Sequence, residues 1–224
     1  MKKIMTLFCA IAALIALVGC TTARQQAFNP EEMALKFEDV AADDWFYGYV
    51  VAGMRFGLIE VASEENPYFE PDRYVTQGEF ITMLGRLHEY GHEVIGVLGE
   101  GGVYERYIDW ALEIGIVHMY EYWDFAQDEL MTREQMAVAI YNYTVVHDLH
   151  GYLWGIRATT GRLFSDYMEI SYWARVPVHQ LRNIHVVSAK IERSFVPHDI
   201  LSRAEAIQSL VRVGDAVYDL MHPY

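Results

Sequence analysis

Two arginines stand where a folded chain can bind an anion. Arg133 and Arg203 each follow directly on a hydroxyl residue, Thr132 and Ser202, that reads as the N-cap of a helix. A guanidinium in a first helical turn sits beside unpaired backbone N–H groups and the positive end of the helix dipole. It can grip a carboxylate through paired hydrogen bonds. The competing role for each is an ion pair with a nearby carboxylate of the chain itself. A second chemistry is suggested by His88-Glu89-Tyr90-Gly91-His92, the H-E-x-x-H spacing that places two zinc ligands on one helix face with a general base between them. Glu113 or His118 would have to complete that set. Gly85 and Gly91 weaken the helix it needs, and the repeat described next leaves no room for a protease domain. We read the stretch as solvent-facing polar residues at a helix end, with a zinc metalloprotease as the remote alternative. No phosphate-binding Gly loop and no nucleophile elbow is visible, so neither catalysis nor a cofactor or metal is expected.

The elements that must position the arginines come in three copies. Phe69, Thr76 and Glu79 recur at the same spacing as Phe125, Thr132 and Gln135, and as Phe195, Ser202 and Glu205. Hydroxyl at N-cap with Glu or Gln three residues on is a capping box. Behind each box runs an apolar stripe at helical spacing: Phe80, Ile81, Leu84, Leu87; Met136, Ala137, Ile140, Tyr143; Ala206, Ile207, Leu210, Val213. Val75, Met131 and Leu201, just before the caps, are placed to staple onto the first turns. A first helix precedes each box: about 44–56, ended by Gly57; a stripe from Tyr107 to Ile114, ended by Gly115; and one from Ile170 to Leu181, which Pro177 should kink or delay. A two-helix unit cannot bury both of its faces, so three must share a core. The spacing predicts an all-α fold of three helix-loop-helix repeats in a pseudo-threefold bundle, with repeats at 37–90, 103–147 and 162–215. Trp45 and Trp173 are expected to pack where first helices meet their neighbours. Trp123 and Trp154, in loop-like stretches, are the better candidates for exposed contacts.

The chain has 224 residues and a formal charge of −14. Lys2 and Lys3 followed by an apolar run from Ile4 to Val18 form an export signal, too short for a comfortable span. The run closes on Leu17-Val18-Gly19-Cys20, which resembles the lipobox of bacterial lipoproteins. The resemblance implies removal of residues 1–19, acylation of Cys20, and a polar tether over 20–36. Cys9 would leave with the signal, so the mature chain holds no disulfide. Losing the two lysines takes the charge to −16. So acidic a chain is a poor partner for nucleic acid or for anionic polymers in bulk. An anionic ligand must be held locally, by arginine.

The repeat resembles the S-layer homology (SLH) domain. That family opens on Phe-x-Asp with a Trp at the first helix, then has a Gly turn, Phe-x-Pro and a Thr-Arg-Ala-Glu box. Unit one has Phe37, Asp39, Trp45, Gly57, Phe69, Pro71 and the box Thr76-Gln77-Gly78-Glu79. Unit two has Gly115, Phe125 and Thr132-Arg133-Glu134-Gln135. Unit three has Phe164, Asp166, Trp173, Phe195, Pro197 and Ser202-Arg203-Ala204-Glu205. The resemblance implies grooves that bind cell-wall polysaccharide ending in an acidic, for example pyruvylated, sugar. It carries the ligand-gripping role onto Arg133 and Arg203, the close-approach role onto Gly57 and Gly115, and groove-facing positions onto Gln77, Trp45 and Trp173. Gln77 replaces the arginine of unit one. Unit two lacks the opening Phe-x-Asp and the Trp, and unit three has Asn183 or His185 where a Gly belongs. The expectation is a non-enzymatic, membrane-anchored envelope lipoprotein that holds wall glycan. A second reading keeps the fold and gives it envelope protein partners.

Overall fold

The structure is a computed structural model that describes residues 36–60, 62–91, 103–118, 123–149 and 164–221. Cys20, the signal, most of the tether, His92 and Trp154 lie outside these residues. Six α-helices are described: α1 Tyr47–Arg55, α2 Gln77–Gly91, α3 Val103–Glu113, α4 Arg133–Val146, α5 Arg175–Asn183 and α6 Arg203–Met221. A 3-10 turn, Tyr172–Ala174, leads into α5. The described fold is all-α; its only β pairing is in isolated bridges.

The caps form as their spacing predicts. Thr76 Oγ1 accepts from Glu79 N (3.2 Å) while Thr76 N donates to Glu79 Oε2 (3.0 Å). Thr132 and Gln135 exchange the same bonds at 3.3 and 2.9 Å, and Ser202 and Glu205 at 3.3 and 3.0 Å. Each box therefore satisfies two orphan donors and fixes where α2, α4 and α6 begin. Pro177 falls in the first turn of α5, where a proline removes no helical hydrogen bond; the helix begins only at Arg175, so of the expected kink or delay it is the delay that occurs.

The three cap segments are tied to one another. Val75 N donates to Leu201 O (3.1 Å), Leu201 N to Met131 O (2.8 Å) and Met131 N to Val75 O (3.0 Å), a closed circuit of three bonds. Two further circuits repeat it. Gln77 N, Arg133 N and Arg203 N reach the carbonyls of Glu129, Asp199 and Arg73, and Gly78 N, Glu134 N and Ala204 N reach those of Gln127, Pro197 and Pro71. Val75, Met131 and Leu201 are fully buried at the centre. In this way the first N–H groups of three helices, which a helix cannot satisfy itself, are satisfied by a neighbouring unit.

Helix pairing follows the same order. α1 packs on α6, α3 on α2, and α5 on α4, with α2 also meeting α6. Each first helix thus packs chiefly on the second helix of another unit. The two helices of a unit do not form the closed hairpin that their proximity in sequence suggests, because the long loop between them carries the chain across to a neighbour.

Two turn devices shape the loops. α1, α3 and α5 all end in a Schellman arrangement. Leu58 N, Ile116 N and Val186 N reach back to the carbonyls of Gly53, Ala111 and Leu181 at 2.8–2.9 Å. The left-handed position is Gly57 (φ 70°) and Gly115 (φ 82°) in the first two units and His185 (φ 63°) in the third. In the second device one carboxylate clamps a loop. Asp39 accepts from Phe69 N and Glu70 N at 2.7 and 2.6 Å, and Asp166 from Phe195 N and Val196 N at 2.9 and 2.7 Å. Glu70 and Val196 are held at φ 58° and 57°, a conformation that a β-branched residue such as Val196 strongly resists. Asp166→Ala frees two backbone donors and removes the support of that strain. It should destabilise the fold by about 2–3 kcal/mol, read as a lowered thermal midpoint; an unchanged midpoint would show that the clamp is dispensable.

Candidate functional site

Arg203 is positioned by the Ser202 cap and by its own N–H, which donates to Arg73 O at 2.8 Å. Its guanidinium lies over the Phe69 ring, 5.1 Å from the centroid. Its one ion pair is a long 3.9 Å contact to Glu70. Among the described residues it makes no side-chain hydrogen bond, although the side chain is mostly buried. Burial, and then the neighbouring Arg73, lower its pKa. The group remains a cation at neutral pH. A half-desolvated guanidinium with unused donors is what a bound anion would relieve.

Arg203 lines a cleft of about 280 Å³. The turn after α1 gives Leu58–Glu60 to its wall, α2 gives Glu79, Thr82 and Arg86, and α3 gives Tyr104. Arg73 also faces it, with Nη1 on Glu79 at 3.0 Å, and Arg86 lies 3.6 Å from Glu60. The Tyr104 hydroxyl sits 3.2 Å from Thr76 Oγ1. Its pKa is raised, chiefly by burial, so it stays a neutral donor. The cleft therefore offers three cations, two of them already paired, one aromatic wall, and donors suited to a carboxylate and hydroxyls.

Arg133 occupies the equivalent place on the next unit, over the Phe195 ring at 4.9 Å, yet its surroundings differ. It is only 6% exposed. Nε donates to Phe195 O (2.9 Å), Nη2 to Ser188 O (3.0 Å) and Nη1 to Glu205 (3.2 Å). Lys190 closes the same corner, 3.2 Å from Glu205 and 3.3 Å from Asp199. Arg133, expected to grip a ligand, spends three of its five N–H donors on the protein and is almost wholly buried. Gln77, third in the series, is buried as well. Its Oε1 accepts from Trp123 Nε1 (3.2 Å) and Ala126 N (3.0 Å), filling the place that the missing Asp of unit two leaves in its loop.

Trp45 and Trp123 reverse their expected roles, and Trp173 packs as expected. Trp123 is buried by that hydrogen bond. Trp45 is 58% exposed and meets Phe46 edge-on at 5.5 Å. Trp173 is half-buried against the core. Gly57 and Gly115 serve the helix ends at positive φ, and a side chain at Gly57 would meet open space.

His88 and Glu89 are packed rather than solvent-facing. The His88 ring stacks on His147 (4.6 Å) and lies beside Trp110 (5.1 Å). Glu89 accepts from the Tyr107 hydroxyl at 2.7 Å and pairs with Arg106 at 3.1 Å. Among the described residues no group of three or more His, Cys, Asp or Glu side chains is arranged to hold a metal ion.

Arg73, Arg86 and Tyr104 escaped sequence reasoning because they fall outside every box. The available signal was Arg73, three residues before a cap, at the position whose carbonyl the next unit must bind. No protein-family model matches the chain, and no curated protein matches it.

Proposed function

We propose that this chain is a non-enzymatic envelope lipoprotein whose three SLH-like repeats close into a pseudo-threefold bundle and hold an acidic cell-wall saccharide in the Arg203 cleft. Acylated Cys20 would tether it to the membrane. The observation that carries the reading is the Arg203 guanidinium, mostly buried and without a side-chain hydrogen bond, at a cleft of sugar size. The three circuits of backbone hydrogen bonds support the threefold bundle. With Arg133 and Gln77 engaged internally, Arg203 is the box residue left to a ligand, and the chain binds one saccharide end.

The test is co-sedimentation of the protein with isolated walls, before and after their secondary polymers are removed. Binding should depend on those polymers. Arg203→Ala should weaken it by about 1.5–3 kcal/mol, roughly 10- to 150-fold in affinity. Equal retention by the variant removes Arg203 from the site. The engagement of Arg133 and Gln77 by the chain's own residues favours one other reading, a scaffold for envelope proteins. Crosslinked protein partners in wall-free membranes, with no wall retention, would select that reading instead.

A further inference from the structure

The charge of this acidic chain is unevenly placed. Residues 37–149 carry 22 acidic and 5 basic residues; residues 150–204 carry 4 acidic and 7 basic. Among the described residues the three most exposed large apolar side chains, Tyr172, Met168 and Ile191, lie in the same part, although Trp45, Tyr74 and Tyr90 are open in the acidic part. Tyr172 is 86% exposed and Met168 77%, and Val176 and Ile191 are also open. All four lie between residues 168 and 191. The Arg175 guanidinium lies 5.3 Å from the Tyr167 ring centroid and donates to the carbonyls of Ile170 and Met168. The turn bearing Ile191 and Arg193 is fastened beside this segment by Ser165 N to Arg193 O (3.0 Å) and by the Ser165 and Ser194 hydroxyls (2.7 Å).

We propose that this face, residues 164–194, docks on an anionic phospholipid surface. Arg175, Arg182 and Arg193 would meet the phosphates, while Met168, Tyr172, Val176 and Ile191 enter the headgroup layer. Lys190 is already committed to Asp199 and Glu205. Two exposed carboxylates, Glu169 and Glu192, stand in the same stretch and limit the attraction. A soluble polyanion would satisfy the arginines and leave the apolar side chains in water; a bilayer surface takes both. Among the described residues no helix is long and apolar enough to cross a membrane, so the contact is a surface one. The inference rests on the proposed anchor at Cys20. From there 16 residues reach Lys36, at most about 55 Å of chain, which keeps the fold near the bilayer and lets a weak surface contact count. Anionic lipid would also repel the acidic first two units and turn them toward the wall.

The experiment uses the mature acylated chain in vesicles with headgroup-nitroxide lipids. Met168→Cys takes a single dye, because the one native thiol left is acylated, and Ser63→Cys on unit one is the control. On phosphatidylglycerol vesicles the dye at 168 should be quenched several-fold more than the dye at 63. The difference should shrink in high salt, on pure phosphatidylcholine, and with Arg193→Glu. Equal quenching at the two positions, with the protein retained on the vesicles, overturns the docking and leaves the anchor standing. A chain that leaves the vesicles removes the anchor and this proposal with it.

Discussion

Arg133→Ala should lower the stability of the fold by about 3 kcal/mol while Arg203→Ala lowers it by well under 1 kcal/mol, although the two arginines follow equivalent caps. The difference lies in their partners. Removing the Arg133 side chain leaves the buried carbonyl of Phe195 without that donor, frees the carbonyl of the exposed Ser188 and takes one cation from Glu205. Truncating one partner of a buried, hydrogen-bonded pair usually costs about 3–5 kcal/mol. Here Lys190 still faces Glu205, which places the effect at the lower end. For a domain of this size that is a drop of about 6–12 °C in the melting midpoint. Arg203 gives up only a long contact to Glu70 and its packing on Phe69. Thermal unfolding of both variants, followed by circular dichroism, checks the claim. Equal midpoints would mean that Arg133 is as loosely held as Arg203.

Gly85→Ala tests the packing between units with an effect of opposite sign to helix propensity. In an exposed helix this change stabilises by about 1 kcal/mol. In this fold a Cβ on Gly85 would run into the Tyr107 ring, as one on Gly78 would run into Tyr104. Tyr107 cannot retreat easily. Its hydroxyl donates to Glu89 at 2.7 Å and accepts from Arg106 at 2.6 Å, and its side chain is fully buried between α2 and α3. Overpacking costs about 1–3 kcal/mol and the propensity gain of about 1 kcal/mol offsets part of it, so a net loss of up to about 2 kcal/mol is expected. The companion change Tyr107→Leu, which shortens the ring, should recover part of that loss. A stabilised Gly85→Ala would show that α2 and α3 do not approach this closely.

Local signals in this chain were legible because they are local physics. Thr76, Thr132 and Ser202 each cap a helix, since hydroxyl and carboxylate or amide three residues apart can close a box without help from the rest of the fold. The stripes behind them are buried as their periodicity requires. Which helix packs on which was not legible. Adjacency in sequence suggests hairpins, whereas the pairing of α1 with α6 depends on backbone circuits that no side-chain pattern encodes. The exchange of roles between Trp45 and Trp123 has the same origin. A ring's exposure depends on whether a partner such as Gln77 arrives from another unit. The Asp39 and Asp166 clamps were present in the Phe-x-Asp pattern, but their targets, some 30 residues downstream, appear only once the loop is folded. The site was half legible. The box arginines pointed to anion binding, and burial decided between them. Arg73 and Tyr104 lie outside any motif and could be placed only by the fold.

The most direct test is a calorimetric titration of the purified protein with the acidic saccharide released from cell walls, repeated on Arg203→Ala. One binding site per chain, lost or weakened at least tenfold in a variant with an unchanged melting midpoint, is the predicted result. Two or three sites per chain, or undiminished affinity in Arg203→Ala, would contradict it.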